Sequence, residues 1–135
     1  DGILQNLGNT NIAYSPNLIF TNSTTYIPVK NFNITVLTKF VGKQYLGNID
    51  SKQSVLDYYT NTDLNVSYDW KINRGIKSIV FSGLINNVFD EVYESNGYFY
   101  TYDDTWSGPT PVTIEGAGFY PQAGINFLLG MSLKF

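Results

Sequence analysis

The sequence contains neither cysteine nor histidine. Their absence removes thiol chemistry, Cys/His zinc sites, imidazole proton transfer and a Ser-His-Asp triad. Charge is scarce as well: 14% of residues are Asp, Glu, Lys or Arg, against roughly 25% in ordinary soluble domains. The balance is acidic, with 8 basic and 11 acidic side chains, a net charge of −3 and a pI near 4.6. A nucleic-acid partner needs a basic stripe to meet phosphates, so that class is excluded. The pairs Asp90/Glu91 and Asp103/Asp104 have no base or nucleophile beside them in sequence, and two adjacent acids are a weak calcium signal. Neither an enzyme nor a cofactor or metal is expected. No apolar run approaches the ~18 residues of a transmembrane helix. The start, Asp1-Gly2-Ile3-Leu4-Gln5-Asn6, lacks the charged-then-apolar pattern of a signal peptide. Any membrane contact must therefore be made by strands.

What the chain has in quantity is aromatic residues, 16% of the total, eleven of them Tyr. Together with Asn, Ser and Thr they suit a membrane or carbohydrate-like interface. The strongest pattern lies at 120–135. Ile125, Phe127, Leu129, Met131, Leu133 and Phe135 fall on one face of a strand, and Asn126, Leu128, Gly130, Ser132 and Lys134 on the other. Four further strands are predicted at Tyr14–Ile27, Phe32–Tyr45, Tyr58–Ile72 and Lys77–Tyr93, the first with Asn22 and Thr24 breaking its apolar row. Tight turns are expected at Pro28–Asn31 and at Asn73-Arg74-Gly75, where Gly supplies positive φ. Leu46–Ser54 reads as a longer polar connection, and Glu94–Phe119 as a long aromatic loop. No helical period is visible.

Short and long connections thus alternate, as periplasmic turns and extracellular loops do in outer-membrane barrels. From Tyr58 to Trp70 is about 12 steps; at ~3.3 Å each and a tilt near 45° they rise roughly 28 Å, close to the ~25 Å apolar band of such barrels. Tyr26, Phe32, Tyr68, Trp70 and Phe135 gather at the turn ends, and Tyr14, Tyr45, Tyr58, Tyr59, Tyr93 and Tyr120 at the other ends. Two such girdles are expected at two membrane interfaces. Lys39, Lys43, Asp63 and Asp69 keep to the face opposite the apolar row.

Two stretches carry a resemblance. Asn87-Val88-Phe89-Asp90 with Tyr93, and then Pro121, Gly124 and a last strand finishing at Phe135, resemble the carboxy-terminal end of TonB-dependent outer-membrane receptors. Tyr14-Ser15-Pro16 and Val41-Gly42-Lys43-Gln44-Tyr45 are similar to earlier strands of that family. The resemblance implies an all-β antiparallel meander of about five long strands, part of a 22-stranded transmembrane barrel in the Gram-negative outer membrane. It implies import of a scarce nutrient such as a ferric siderophore, haem or a corrinoid, powered by the TonB complex through parts outside this chain. Residues 1–12 would be part of an extracellular loop, and 13–135 the last barrel strands, with an extracellular loop at 94–119 and the closing strand at 120–135. Phe127, Leu129, Met131, Leu133 and Phe135 would carry the signal read by the barrel-assembly machinery. Tyr98, Tyr100, Tyr102 and Trp106 are the candidate ligand-binding residues. Two other readings remain open: a secreted or surface β-sandwich binding module with a Tyr-rich loop, and a smaller barrel unrelated to TonB.

Overall fold

The structure, a computed structural model, describes residues 6–135, with backbone alone at Asn73 and Arg74. It is all-β; apart from one 3-10 turn at Lys52–Ser54, the regular elements among these residues are strands. The strands are β1 (Ile19–Val29), β2 (Phe32–Val41), β3 (Gln44–Tyr45), β4 (Val55–Leu56), β5 (Tyr59–Arg74), β6 (Ile76–Asn86), β7 (Glu94–Asp104), β8 (Val112–Pro121) and β9 (Asn126–Lys134). They fall into two compact units. One holds residues 20–40, 60–92 and 123–135; the other holds, of the described residues, 6–19, 41–59 and 93–122.

The first unit is a five-stranded antiparallel meander in the order β1-β2-β5-β6-β9. These are the five strands that alternation predicts. β6 and β9 pair without interruption from Ser78↔Lys134 to Asn86↔Asn126, and β5 pairs with β6 from Leu64↔Ile85 to Lys71↔Ser78. Directly opposed residues share a face, so this register builds cross-strand rows: Leu64–Ile85–Phe127, Val66–Gly83–Leu129, Tyr68–Phe81–Met131 and Trp70–Ile79–Leu133. β2 joins in phase. The Phe32 and Tyr68 rings meet edge-on at 6.4 Å, and the Thr38 and Thr62 hydroxyls lie 3.1 Å apart. The other face carries Asn33 against Ser67 and Thr25 against Thr35, together with Lys39, Asp63, Asp69 and Lys134. The segregation expected of Lys39, Asp63 and Asp69 is therefore observed.

The Thr25–Thr35 pair also settles the phase of β1. Asn22 and Thr24 lie on the apolar face with Phe20 and Tyr26, and the Thr24 hydroxyl donates to Asn22 Oδ1 at 3.4 Å. Pairing the two polar groups reduces the cost of placing them among apolar neighbours.

Both turns leave the sheet at one end. Lys30-Asn31 joins β1 to β2 with Asn31 at φ 67, and Gly75 joins β5 to β6 at φ 74. Pro28 and Val29, expected in the turn, belong to β1. The chain leaves the sheet after Val41 and Asn86, and re-enters it at Tyr59 and Asn126, at the opposite end.

The second unit corrects the reading of 94–119 as a loop. β7 and β8 form a continuous hairpin from Asn96↔Tyr120 to Asp104↔Val112, leaving a tip at 105–111. Tyr120 and Pro121 end β8, so the closing strand starts at Asn126 rather than at Tyr120. β1 likewise starts at Ile19, because Tyr14 takes φ 56 and no ladder forms before residue 19. The polar connection Leu46–Ser54 is flanked by the small β3–β4 ladder, Gln44↔Leu56 and Tyr45↔Val55, which closes its base. The buried apolar core among the described residues is Val41, Leu46 and Leu56, all in this unit. One face of the hairpin packs there. Phe99 lies against Gly47, Gly97 approaches Leu46, Glu115 accepts a hydrogen bond from the Ser51 hydroxyl, and the Tyr14 hydroxyl donates to the Gly97 carbonyl at 3.1 Å.

Candidate functional site

Three features stand out, two in the sheet and one in the hairpin. The first is the apolar sheet face. Phe127 and Leu129 are 74% and 83% exposed, and Met131, Leu133 and Phe135 are exposed with them. All five residues expected to form the assembly signal therefore lie uncovered, and β9 places the first four in one row. Toward the turn end the same face carries Tyr26, Phe32, Tyr68, Trp70 and Phe81, an aromatic cluster where one girdle is expected.

The second feature is the corner that follows β6. Asn87 sits at φ 51 and is almost fully buried. Its Nδ2 donates to the carbonyls of Glu91 (2.9 Å) and Ala123 (3.2 Å), and its Oδ1 accepts the Glu91 N–H at 3.0 Å. Its own N–H donates to Asp63 Oδ1 at 2.9 Å, and the Val88 N–H donates to the Thr62 carbonyl at 2.8 Å. Asp90, at φ 54, accepts the Ile125 N–H on Oδ1 at 2.8 Å. Asn and Asp tolerate the left-handed region better than other residues with a side chain. The Asn-Val-Phe-Asp stretch thus forms a hydrogen-bonded corner that fixes the start of β9, while Phe89 points into solvent, 70% exposed.

Compared with family profiles, curated proteins and solved structures, the chain matches none.

The third feature is the outer face of the β7–β8 hairpin, where Tyr98, Tyr100 and Tyr102 lie in a column. Successive ring centroids are 6.2 and 6.4 Å apart, with planes only 19° and 15° from parallel. Tyr120 extends the column with its centroid 6.1 Å from that of Tyr98. Sequence reasoning placed Tyr120 elsewhere and missed it. The column rests on two glycines. Tyr98 pairs with Gly118 and Tyr100 with Gly116, and each ring occupies the space that a Cβ on its partner would need. The signal was present in the sequence as Tyr-x-Tyr-x-Tyr followed by Gly-x-Gly, two spacings of the same period.

Trp106 is not in this column; it lies in the tip loop and is 93% exposed. Asp104 caps that tip by accepting the N–H groups of Trp106 (2.9 Å) and Ser107 (3.3 Å). Hydrogen bonding from the Ser107 hydroxyl and these amides holds its carboxyl below the usual range. Asp103 accepts from the Thr113 hydroxyl at 2.7 Å. Both acids are thus engaged within the hairpin, and no acidic cluster able to hold a metal forms among the described residues.

Proposed function

We propose that this chain forms carboxy-terminal strands of a TonB-dependent outer-membrane receptor that imports a scarce nutrient. One observation carries the reading: an antiparallel sheet whose apolar face, continuous through Tyr68, Phe81, Leu129 and Met131, is left uncovered, while its other face is mixed and carries the charged groups Asp63, Asp69 and Lys134. A bilayer supplies the missing layer, and a polar lumen suits the other side. In this reading the end with Lys30-Asn31 and Gly75 is periplasmic and the hairpin is extracellular. β1 and β9, the outer strands of the sheet, pair with further strands of the barrel, because five strands do not close one. The exposed row from Phe127 to Phe135 serves the assembly machinery before insertion and lipid afterwards. Nutrient capture falls to outer segments, and energy comes from the TonB complex through other parts of the receptor. In the alternative reading, a secreted sandwich, a second sheet rather than lipid would cover Phe127 and Leu129.

Single cysteines along β9 test this in cells, in a cysteine-free form of the full-length protein. Leu129→Cys and Met131→Cys should react only with a lipid-soluble maleimide, and Leu128→Cys and Ser132→Cys with a water-soluble one. Equal labelling of both sets from water would sink the membrane reading.

A further inference from the structure

The tyrosine column on the hairpin is built as a platform. Side chains on an ordinary two-stranded ribbon interleave with those of the partner strand, and each aromatic packs against its neighbour's side chain. Here the partner positions are Gly116 and Gly118, and the rings of Tyr100 and Tyr98 take the space above them. One side of each ring is thereby backed by main chain. Each of Tyr98, Tyr100, Tyr102 and Tyr120 still leaves about half of its surface exposed. The opposite face of the ribbon is anchored through Phe99 and Glu115, so the rings are held by a fixed support rather than a free loop.

Charge narrows what such a surface accepts. Residues 94–121 contain no Lys or Arg, so nothing there attracts phosphate, carboxylate or an anionic chelate. Of the acids at the two ends of the column, Asp104 has its carboxylate turned to the tip amides of Trp106 and Ser107, and Glu94 lies beyond Tyr120, opposite Pro121; no charged side chain stands between the rings. What remains is a neutral row of aromatic faces edged with phenolic hydroxyls. Aromatic faces carry the negative lobe of the ring quadrupole and attract weakly positive C–H groups. The hydroxyls donate to and accept from neutral polar groups. An extended saccharide presents both: planar C–H faces repeating along the chain, and hydroxyls at the edges.

We infer that the outer face of the β7–β8 hairpin is a binding platform for a neutral glycan chain, laid along Tyr120, Tyr98, Tyr100 and Tyr102. This rests on the geometry of the hairpin alone and holds whether or not the sheet spans a membrane.

The test is affinity electrophoresis of the full-length protein, in detergent, through gels containing neutral β-glucan, α-glucan or mannan, with anionic polygalacturonate as control. Retardation by at least one neutral polysaccharide and none by polygalacturonate is expected. Tyr98→Ala/Tyr100→Ala should weaken it at least about tenfold, Tyr98→Phe/Tyr100→Phe only a few-fold, and Gly116→Val about as much as the Ala pair although it removes no ring. A β-sheet circular-dichroism spectrum and a cooperative melt like those of the parent protein confirm that each variant is folded. Any of three results would overturn the inference: no retardation by any neutral polysaccharide, retardation indifferent to the Ala pair, or an Ala pair that abolishes self-association of the protein without affecting glycan binding.

Discussion

Asp90 and Gly124 occupy one another's space: a Cβ on Gly124 would lie 2.5 Å from Asp90 Oδ1, the oxygen that accepts the Ile125 N–H. The two stretches that carry the family resemblance, Asn-Val-Phe-Asp and Pro-x-x-Gly, are thus two halves of a single contact. A side chain at 124 pushes the carboxylate off its amide. Gly124→Ala should therefore lower stability by about 1–2 kcal/mol, and Asp90→Ala by about 1 kcal/mol. The double variant should cost less than the sum, because removing the carboxylate clears the space. Thermal unfolding of the four proteins, followed by circular dichroism, measures the coupling, and strict additivity would refute the shared contact.

Asn87 should be the most sensitive polar residue in the sheet unit. Replacing it with Ala leaves the Glu91 N–H and the carbonyls of Glu91 and Ala123 without their partner, and retains a left-handed backbone that Ala tolerates poorly. A loss of about 2–4 kcal/mol is expected. Asn87→Gly relieves only the backbone part, so it should remain within about 1 kcal/mol of Asn87→Ala, as chemical denaturation would report.

Leu128 and Leu129 are neighbours in sequence on opposite faces of β9. Under the proposed reading Leu129→Arg places a cation in hydrocarbon at a cost of about 2–4 kcal/mol near the midplane, whereas Leu128→Arg faces water. Outer-membrane levels of folded protein should fall for the first and hold for the second. Equal effects would remove the case for a lipid-facing side.

The hairpin tip should respond to acid through Asp104. Its carboxyl is depressed by hydrogen bonds from Ser107 and Trp106, so the folded tip binds its proton less readily than an unfolded one. The stabilisation is therefore fully present above the ordinary value of 3.8 and is lost as pH falls through the depressed one. Exchange protection of the Trp106 and Ser107 amides should be flat at neutral pH and disappear in that acid window. Asp104→Asn should show reduced protection with no such pH dependence.

The five sheet strands were legible because hydrophobic side chains recur at every second position on one side of each, most fully in β9 and with Asn22 and Thr24 interrupting the row in β1. Lys77–Tyr93 overran only because Asn87 and Asp90 bend the chain by taking left-handed φ, a choice that hydropathy does not register. The hairpin escaped notice for a different reason. β7 is aromatic on both faces, with Phe99 anchoring one and Tyr98, Tyr100 and Tyr102 lining the other. β8 sets glycines opposite the rings, and a residue without a side chain cannot announce which face it is on. Tyr120 was credited to β9 because its true role, the last ring of the column, depends on pairing with Asn96, a contact between positions far apart in sequence. The Asn87 corner was visible as a motif, whereas its hydrogen bonds to 123 and 125 were not.

The exposed row on β9 has one more consequence. Among the described residues the buried apolar side chains are Val41, Leu46 and Leu56, so the sheet carries its hydrogen-bond ladder with it but leaves most of its apolar surface to whatever surrounds it. Heat capacity of unfolding scales with apolar surface exposed to water, so under the proposed membrane reading this term should be small and stability should vary with temperature along a flat curve. If the sheet spans a bilayer as proposed, acyl-chain length should act as core mutations do elsewhere: lipids too thin to reach from the Trp70 end to Phe127 should lower the melting temperature without any change in sequence.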